Sequence, residues 1–184
     1  GGIPYAVPGR DLQDKSSRPY FQFANNAPRG TIYVSRIELN EEFGEIERPI
    51  KPVVRLSAPV FDRYGQRQGV VVLNLRAGPI LDEMTAELSG DGAQGFVLNH
   101  HGHWIEGGEA GENWAQDLSG AAVGLGDRFP TAWENMRQGY ESFTTDDGFY
   151  SVRRLDVSSL LLAQNATRTL SVIIGEPDSK VNDL

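Results

Sequence analysis

Cysteine is absent from this 184-residue chain, which excludes disulfides, thiolate-bound metal and a thiol nucleophile and leaves every redox compartment open. Histidine is scarce. His100, His101 and His103 are the three present, and no second cluster exists to close a tetrahedral imidazole shell. Positive charge is short as well: 17 Lys and Arg face 25 Asp and Glu, for a net charge of −8. A polyanion partner needs clustered cations that release counterions, so nucleic acid is not expected. Long apolar runs are also missing. Val70–Leu73 and Leu160–Ala163 fall far below the ~20 residues that cross a bilayer. The chain begins at Gly1 with no initiator Met and no signal h-region, and reads as a segment of something longer.

What is present describes a folded chain. Hydrophobic residues make up 39% and charged residues 23%, inside the globular range and away from the disordered regime. A chain of this length forms one large or two small domains and buries roughly 70% of its unfolded surface.

Turn residues punctuate short β-like runs. Val53–Phe61 and Gly69–Leu75 flank a turn at Asp62–Gly65 and predict a hairpin. Pro79–Leu88 places Ile80, Leu81, Met84 and Leu88 at helical spacing, with Pro79 suited to a first turn and Gly90 to a stop. The polar, Gly-rich stretch Ser89–Gln94 then suggests a boundary. Beyond it, Gly95–Asn99 and His103–Glu106 predict a second hairpin, Phe129–Gln138 a helix, Glu141–Thr145 and Tyr150–Leu155 a third hairpin, and Thr169–Ile174 a last strand. Near the start, Asp14–Ala24 reads as a helix capped by Asp14, Ser16 or Ser17, and residues 28–34 as a turn entering a strand. Ser35–Pro52, rich in glutamate around Gly44, reads as a loop over the sheet.

The chemical clusters are few. His100, His101 and His103 could ligate a transition metal, but adjacent side chains in a hairpin turn diverge, and an exposed polar turn is the expected state. No metal and no cofactor are expected. Glu41, Glu42, Glu45 and Glu47 could support acid–base chemistry, although charge runs on loops are usually solvated. Neither Ser35 nor Ser57 lies in a G-x-S-x-G turn, and no nucleotide-binding glycine fingerprint occurs. The run from Leu12 to Phe21 stands apart: Arg18, Tyr20 and Phe21 offer a guanidinium fork for a carboxylate and aromatic walls for a ligand. The same residues also suit an amphipathic helix with core aromatics and a snorkelling Arg, and composition alone favours that second reading.

Four segments carry a family resemblance: LQDKSSRPYF, GTIYVSRIELN, PVVRLSAPVFDRYGQRQGVVVLNL and GFVLNHHGHWIEG. Together they resemble the double Cache family, the tandem PAS-like periplasmic sensors of histidine kinases, diguanylate cyclases and chemoreceptors. The most specific pieces are Arg18, Tyr20, Phe21 and Ala24, the hairpin from Ala58 to Val71, and Asn99, Gly102 and Trp104. The resemblance covers nearly the whole chain. It implies an α+β fold of two modules, each an antiparallel sheet flanked by helices: residues 1–88 membrane-distal, 89–94 a linker, and 95–184 membrane-proximal. A long N-terminal helix and the first strands of the distal module have no counterpart here.

In amino-acid-binding members of that family, an Arg and an aromatic pair on the helix hold the ligand carboxylate, a Tyr follows on the next strand, and an Asp on the last strand accepts the ammonium. The resemblance therefore implies ligand contacts from Arg18, Tyr20, Phe21, Tyr33, Ser57 and Asn74. Asn74 stands where the Asp is expected. An amide cannot neutralise a buried ammonium, so a carboxylate or neutral polar metabolite is expected ahead of an amino acid. The implied function is extracytoplasmic sensing with no catalysis in this segment. The full-length protein is expected to be anchored in the inner membrane, homodimeric, and joined to a kinase or diguanylate cyclase output domain. Two other classes stay open: a periplasmic hydrolase or lyase using the loop carboxylates, told apart by turnover, and a structural or adhesion module, told apart by the failure of every small molecule to raise the melting temperature.

Overall fold

A proline sets where the first helix begins. Asp14–Ala24 is not helical as a unit: α1 runs Pro19–Asn26, with Arg18 extended before it at φ −74° and ψ 136°. Pro19 lacks an N–H and clashes with a helical predecessor, so it fits the first helical position and forces Arg18 into the β region. Asp14 instead accepts the backbone N–H of Ser16 at 2.8 Å, a local turn. This computed structural model describes residues 6–90, 92–156 and 169–177.

The expected first hairpin is β5 (Pro52–Phe61) paired antiparallel with β6 (Arg67–Arg76). Its turn is built by Asp62, whose Oδ1 accepts the backbone N–H groups of Tyr64 and Gln66, both at 2.8 Å. Gly65 takes the left-handed φ of +82° that closes it. The other edge of β5 carries β1 (Tyr33–Val34) and β2 (Glu38–Leu39), with Tyr33 opposite Ser57 and Glu38 opposite Val53.

Ser35–Pro52 is more ordered than a loop. Besides β2 it holds a separate two-stranded hairpin, β3 (Glu41–Glu42) and β4 (Glu45–Ile46). Its turn places Phe43 at φ 53° and Gly44 at φ 84°, the double positive φ of a tight hairpin that follows the strand twist. Two-residue strands carry no readable alternation, and Phe43 is an unusual residue at positive φ, so sequence periodicity misses this element.

After β6, α2 (Gly78–Leu88) leads to a second antiparallel sheet in the order β8 (Trp104–Glu106), β7 (Gln94–Leu98), β11 (Thr169–Pro177), β10 (Gly148–Asp156) and β9 (Ser142–Thr145). The helix expected at Phe129–Gln138 is α5 (Pro130–Arg137), again starting on a proline, and follows the short α4 (Leu125–Arg128). Residues of α3 (Ala115–Ser119) had no sequence signal. The apolar run Leu160–Ala163 lies outside the described residues, and no described helix is long and apolar enough to cross a membrane.

Two buried clusters hold these elements. One, with Phe96, Leu98, Trp104, Leu125 and Tyr150, lies within the second sheet and its helices. The other joins Val34, Leu39 and Val54 of the first sheet through Ala77 and Leu81 to Val97, Ile105 and Trp114. The sheets are separate in hydrogen bonding yet share that apolar core.

Candidate ligand-binding site

Strand period places one polar set on a single face of the first sheet. Along β5, Arg55 and Ser57 point the same way. Register adds Tyr33 and Val72 opposite Ser57, and Asn74 opposite Arg55. Helix α1 packs over this face against β1, β5 and β6. It is tied down by Ser57, whose Oγ donates to the Tyr20 carbonyl at 2.8 Å. Arg67 of β6 donates to the carbonyls of Ala24 and Ala27 at 3.0 and 2.7 Å, a cation closing the orphan acceptors at the helix C-terminus.

Between helix and sheet lie two cavities that share Tyr20 as a wall. One, of about 280 Å³, is lined by Arg18, Tyr20, Tyr33, Ser35, Arg36 and Glu38 among others. The second, of about 310 Å³, is lined by Tyr20, Phe21, Asn40, Glu41, Arg55 and Asn74 among others. Arg18 and Tyr33 thus meet in the first cavity, Phe21 and Asn74 in the second, and Tyr20 in both. Ser57 is on neither wall. It is 2% exposed and anchors α1.

Charged groups reach the site from elements that sequence reading did not connect to it. Arg18 donates through Nη1 to Oε2 of Glu41 at 2.6 Å, and that hydrogen bond is the main cause of its raised pKa. The hairpin β3–β4 is strapped to the N-terminal segment by Gln13, which donates to Glu42 at 2.6 Å and accepts the backbone N–H of Phe43 at 2.9 Å. Lys15 stands 3.6 Å from Glu42. Burial pushes the Glu42 carboxyl up, but hydrogen bonds from Gln13 and Asn40 and the charge of Lys15 outweigh it and hold the group below the usual value.

Arg55 was missed entirely. It is 2% exposed, ion-paired to Glu38, and donates to Asn40 Oδ1 at 2.8 Å. A buried guanidinium needs such partners, because an unpaired one costs several kcal/mol. The available signal was a cation inside the apolar strand Pro52–Phe61 facing the same way as Ser57. Elsewhere, Asn99 Oδ1 accepts the backbone N–H groups of His101 and His103 at 2.9 and 3.1 Å, so the histidine turn is organised by that amide. Among the described residues, no group of three or more His, Asp or Glu is placed to hold a metal.

A helix closed over a polar sheet face, with cavities of metabolite size and an arginine among the residues that line them, is an arrangement suited to small-molecule binding. The sequence profile described as "Bacterial histidine kinase, sensor domain" matches residues 5–159, and the chain belongs to that family. Solved structures agree on the fold. The extracellular domain of the histidine kinase vpHK1S-Z8 superposes with a TM-score of 0.70 at 19% identity, covering 90% of this chain and 57% of that one. A domain of a sensory box/GGDEF family protein from Vibrio parahaemolyticus gives 0.71 at 19% identity, covering 90% and 60%. The ligand-binding domain of the Pseudomonas aeruginosa amino acid chemoreceptor PctC, in complex with GABA, gives 0.55 at 14% identity, covering 93% and 64%. The chain spans 57 to 60% of the length of the first two. No curated protein sequence matches it.

Proposed function

We propose that the chain senses a small carboxylate-bearing metabolite outside the cytoplasm, bound between α1 and the first sheet. The observation that carries this reading is the convergence of Arg18, Tyr20, Tyr33 and Asn74 on two adjoining cavities under one helix. Arg18 is the candidate fork for the carboxylate, and the rings of Tyr20, Phe21 and Tyr33 are candidate walls. GABA, named for the P. aeruginosa receptor, carries such a carboxylate. Asn74 supplies no charge, which argues against any ligand whose cationic group depends on that position and leaves a carboxylate or neutral polar metabolite as the reading from that residue.

Residues 1–88 are the proposed binding module, 89–94 the linker, and 95–184 the module that passes the change onward to a membrane anchor and a kinase or diguanylate cyclase output domain in a homodimer. The shared core from Val34 and Val54 to Val97 and Trp114 supports mechanical coupling of the two. Binding acts by favouring one of two arrangements already in equilibrium.

A thermal-shift screen against organic acids, polar neutral metabolites, amines and amino acids tests the reading. A ligand at 100 times its Kd adds about 2.7 kcal/mol to stability, and Arg18→Ala abolishes the shift. A screen without any hit, or hits indifferent to Arg18→Ala, overturns it.

A further inference from the structure

We propose that Glu41 sets the specificity of this site, admitting ligands that carry a cationic group beside their carboxylate and rejecting simple monoanions. The inference rests on the reading that Arg18 takes the ligand carboxylate. The guanidinium of Arg18 is already neutralised: Nη1 donates to Glu41 Oε2 at 2.6 Å. A plain anion that takes Arg18 either displaces Glu41 from Nη1 or lies beside it on the remaining donors, and like charges at such range repel in a partly desolvated site. A zwitterion inserted between the two residues places its carboxylate on Arg18 and its ammonium on Glu41, so both charges keep partners.

Three features suit Glu41 to that exchange. The pair is accessible, with side chains 29% and 35% exposed, so it opens without removing a buried charge from its partner. Arg18 Nε is buried and makes no hydrogen bond among the described residues, which leaves a donor in reserve when Nη1 changes acceptor. Glu41 also lines the cavity that contains Asn74, so a fixed negative charge stands in the compartment where that amide provides none. Its position is held by the backbone of the hairpin and by the Gln13 strap. Of the neighbouring cations, Lys15 is matched by Glu42 and Arg55 by Glu38, while Arg36 stands on the wall of the first cavity.

Calorimetry on the wild-type chain with γ-aminobutyrate, β-alanine and glycine, each against its amine-free partner butyrate, propionate or acetate, tests the proposal. At least one amino compound binds, about tenfold or more tighter than its amine-free partner, the equivalent of ~1.4 kcal/mol. Glu41→Gln, which keeps an oxygen for Arg18 but no charge, weakens the amino compound, strengthens the plain acid, and brings their ratio close to one. Plain acids binding as well as their amino partners, a ratio untouched by Glu41→Gln, or no binding by any of the three amino compounds each overturns the proposal. If Arg18→Ala abolishes binding while the ratio ignores Glu41, only this inference falls. If Arg18→Ala has no effect, the pocket itself is misplaced.

Discussion

The guanidinium of Arg55 lies over the ring of Tyr20, its carbon 5.4 Å from the ring centroid, so one buried cation supports the residue that separates the two cavities. Arg55 also holds Glu38 and Asn40. Removing it leaves a carboxylate and an amide without their partner and the ring without its platform. Arg55→Met is expected to cost about 3 kcal/mol, as for a broken buried ion pair. Arg55→Lys recovers only part, because a point charge cannot address Glu38 and Asn40 together. Urea unfolding monitored by fluorescence measures both.

Asn74 faces Arg55 across the hairpin and is exposed. Asn74→Asp adds a carboxylate to the cavity that already holds Glu41 and Glu42. Amino compounds are expected to gain, and plain carboxylates to lose, about 1 kcal/mol each, the modest size reflecting solvent screening. Titration calorimetry with γ-aminobutyrate and butyrate gives both numbers, and parallel changes would count against a charge-reading cavity.

Gly107 sits at φ +83° just after β8, and a Cβ there would lie 2.3 Å from the backbone carbonyl oxygen of Gly95. Gly107→Ala therefore combines a left-handed penalty with a backbone clash that no rotamer relieves. A loss of about 2 kcal/mol or more is expected, while Gly111→Ala, at φ +87° but in open space, costs only the conformational part. Thermal melts of the two variants separate clash from strain.

Glu106 has a carboxyl raised by burial, with the charge of Asp82 adding to it. A raised native value means that the folded state binds more protons than the unfolded one, so stability falls as pH rises from the ordinary carboxylate value through the raised one. Glu106→Gln keeps an acceptor for Asn113, which donates to Glu106 at 3.1 Å, and removes the charge. Its melting temperature should exceed wild type at pH 7 and converge with it near pH 4. Glu42, held below the usual value, acts oppositely and destabilises the fold as pH falls through its own lowered pKa.

Much of this protein was written locally. Pro19 and Pro130 start helices because they cannot sit further inside one. Asp62 and Gly65 make a turn out of their own chemistry. Period-two alternation along β5 and β6 then orients Ser57 and Asn74 once pairing exists, whereas Tyr33 is placed by the register of the two-residue β1 opposite Ser57. Arg18, Tyr20 and Phe21 were legible as candidates because charge and rings crowd into four residues.

The rest needed the folded chain. Glu41 and Arg18 lie 23 residues apart, and nothing in either neighbourhood announces the other. The contact exists because a hairpin too short to show a period folds back under the Gln13 strap. Arg55 carries no partner in its own stretch of sequence, and it becomes a buried hub through Glu38, Asn40 and the ring of Tyr20. The core that joins the two sheets combines Val34 with Trp114, a pairing decided by which apolar faces remain uncovered after each sheet has formed. Local chemistry chose the elements. Long-range burial of charge and apolar surface chose which side chains meet under α1, because those free energies depend on what is excluded from water and not on what is adjacent along the chain.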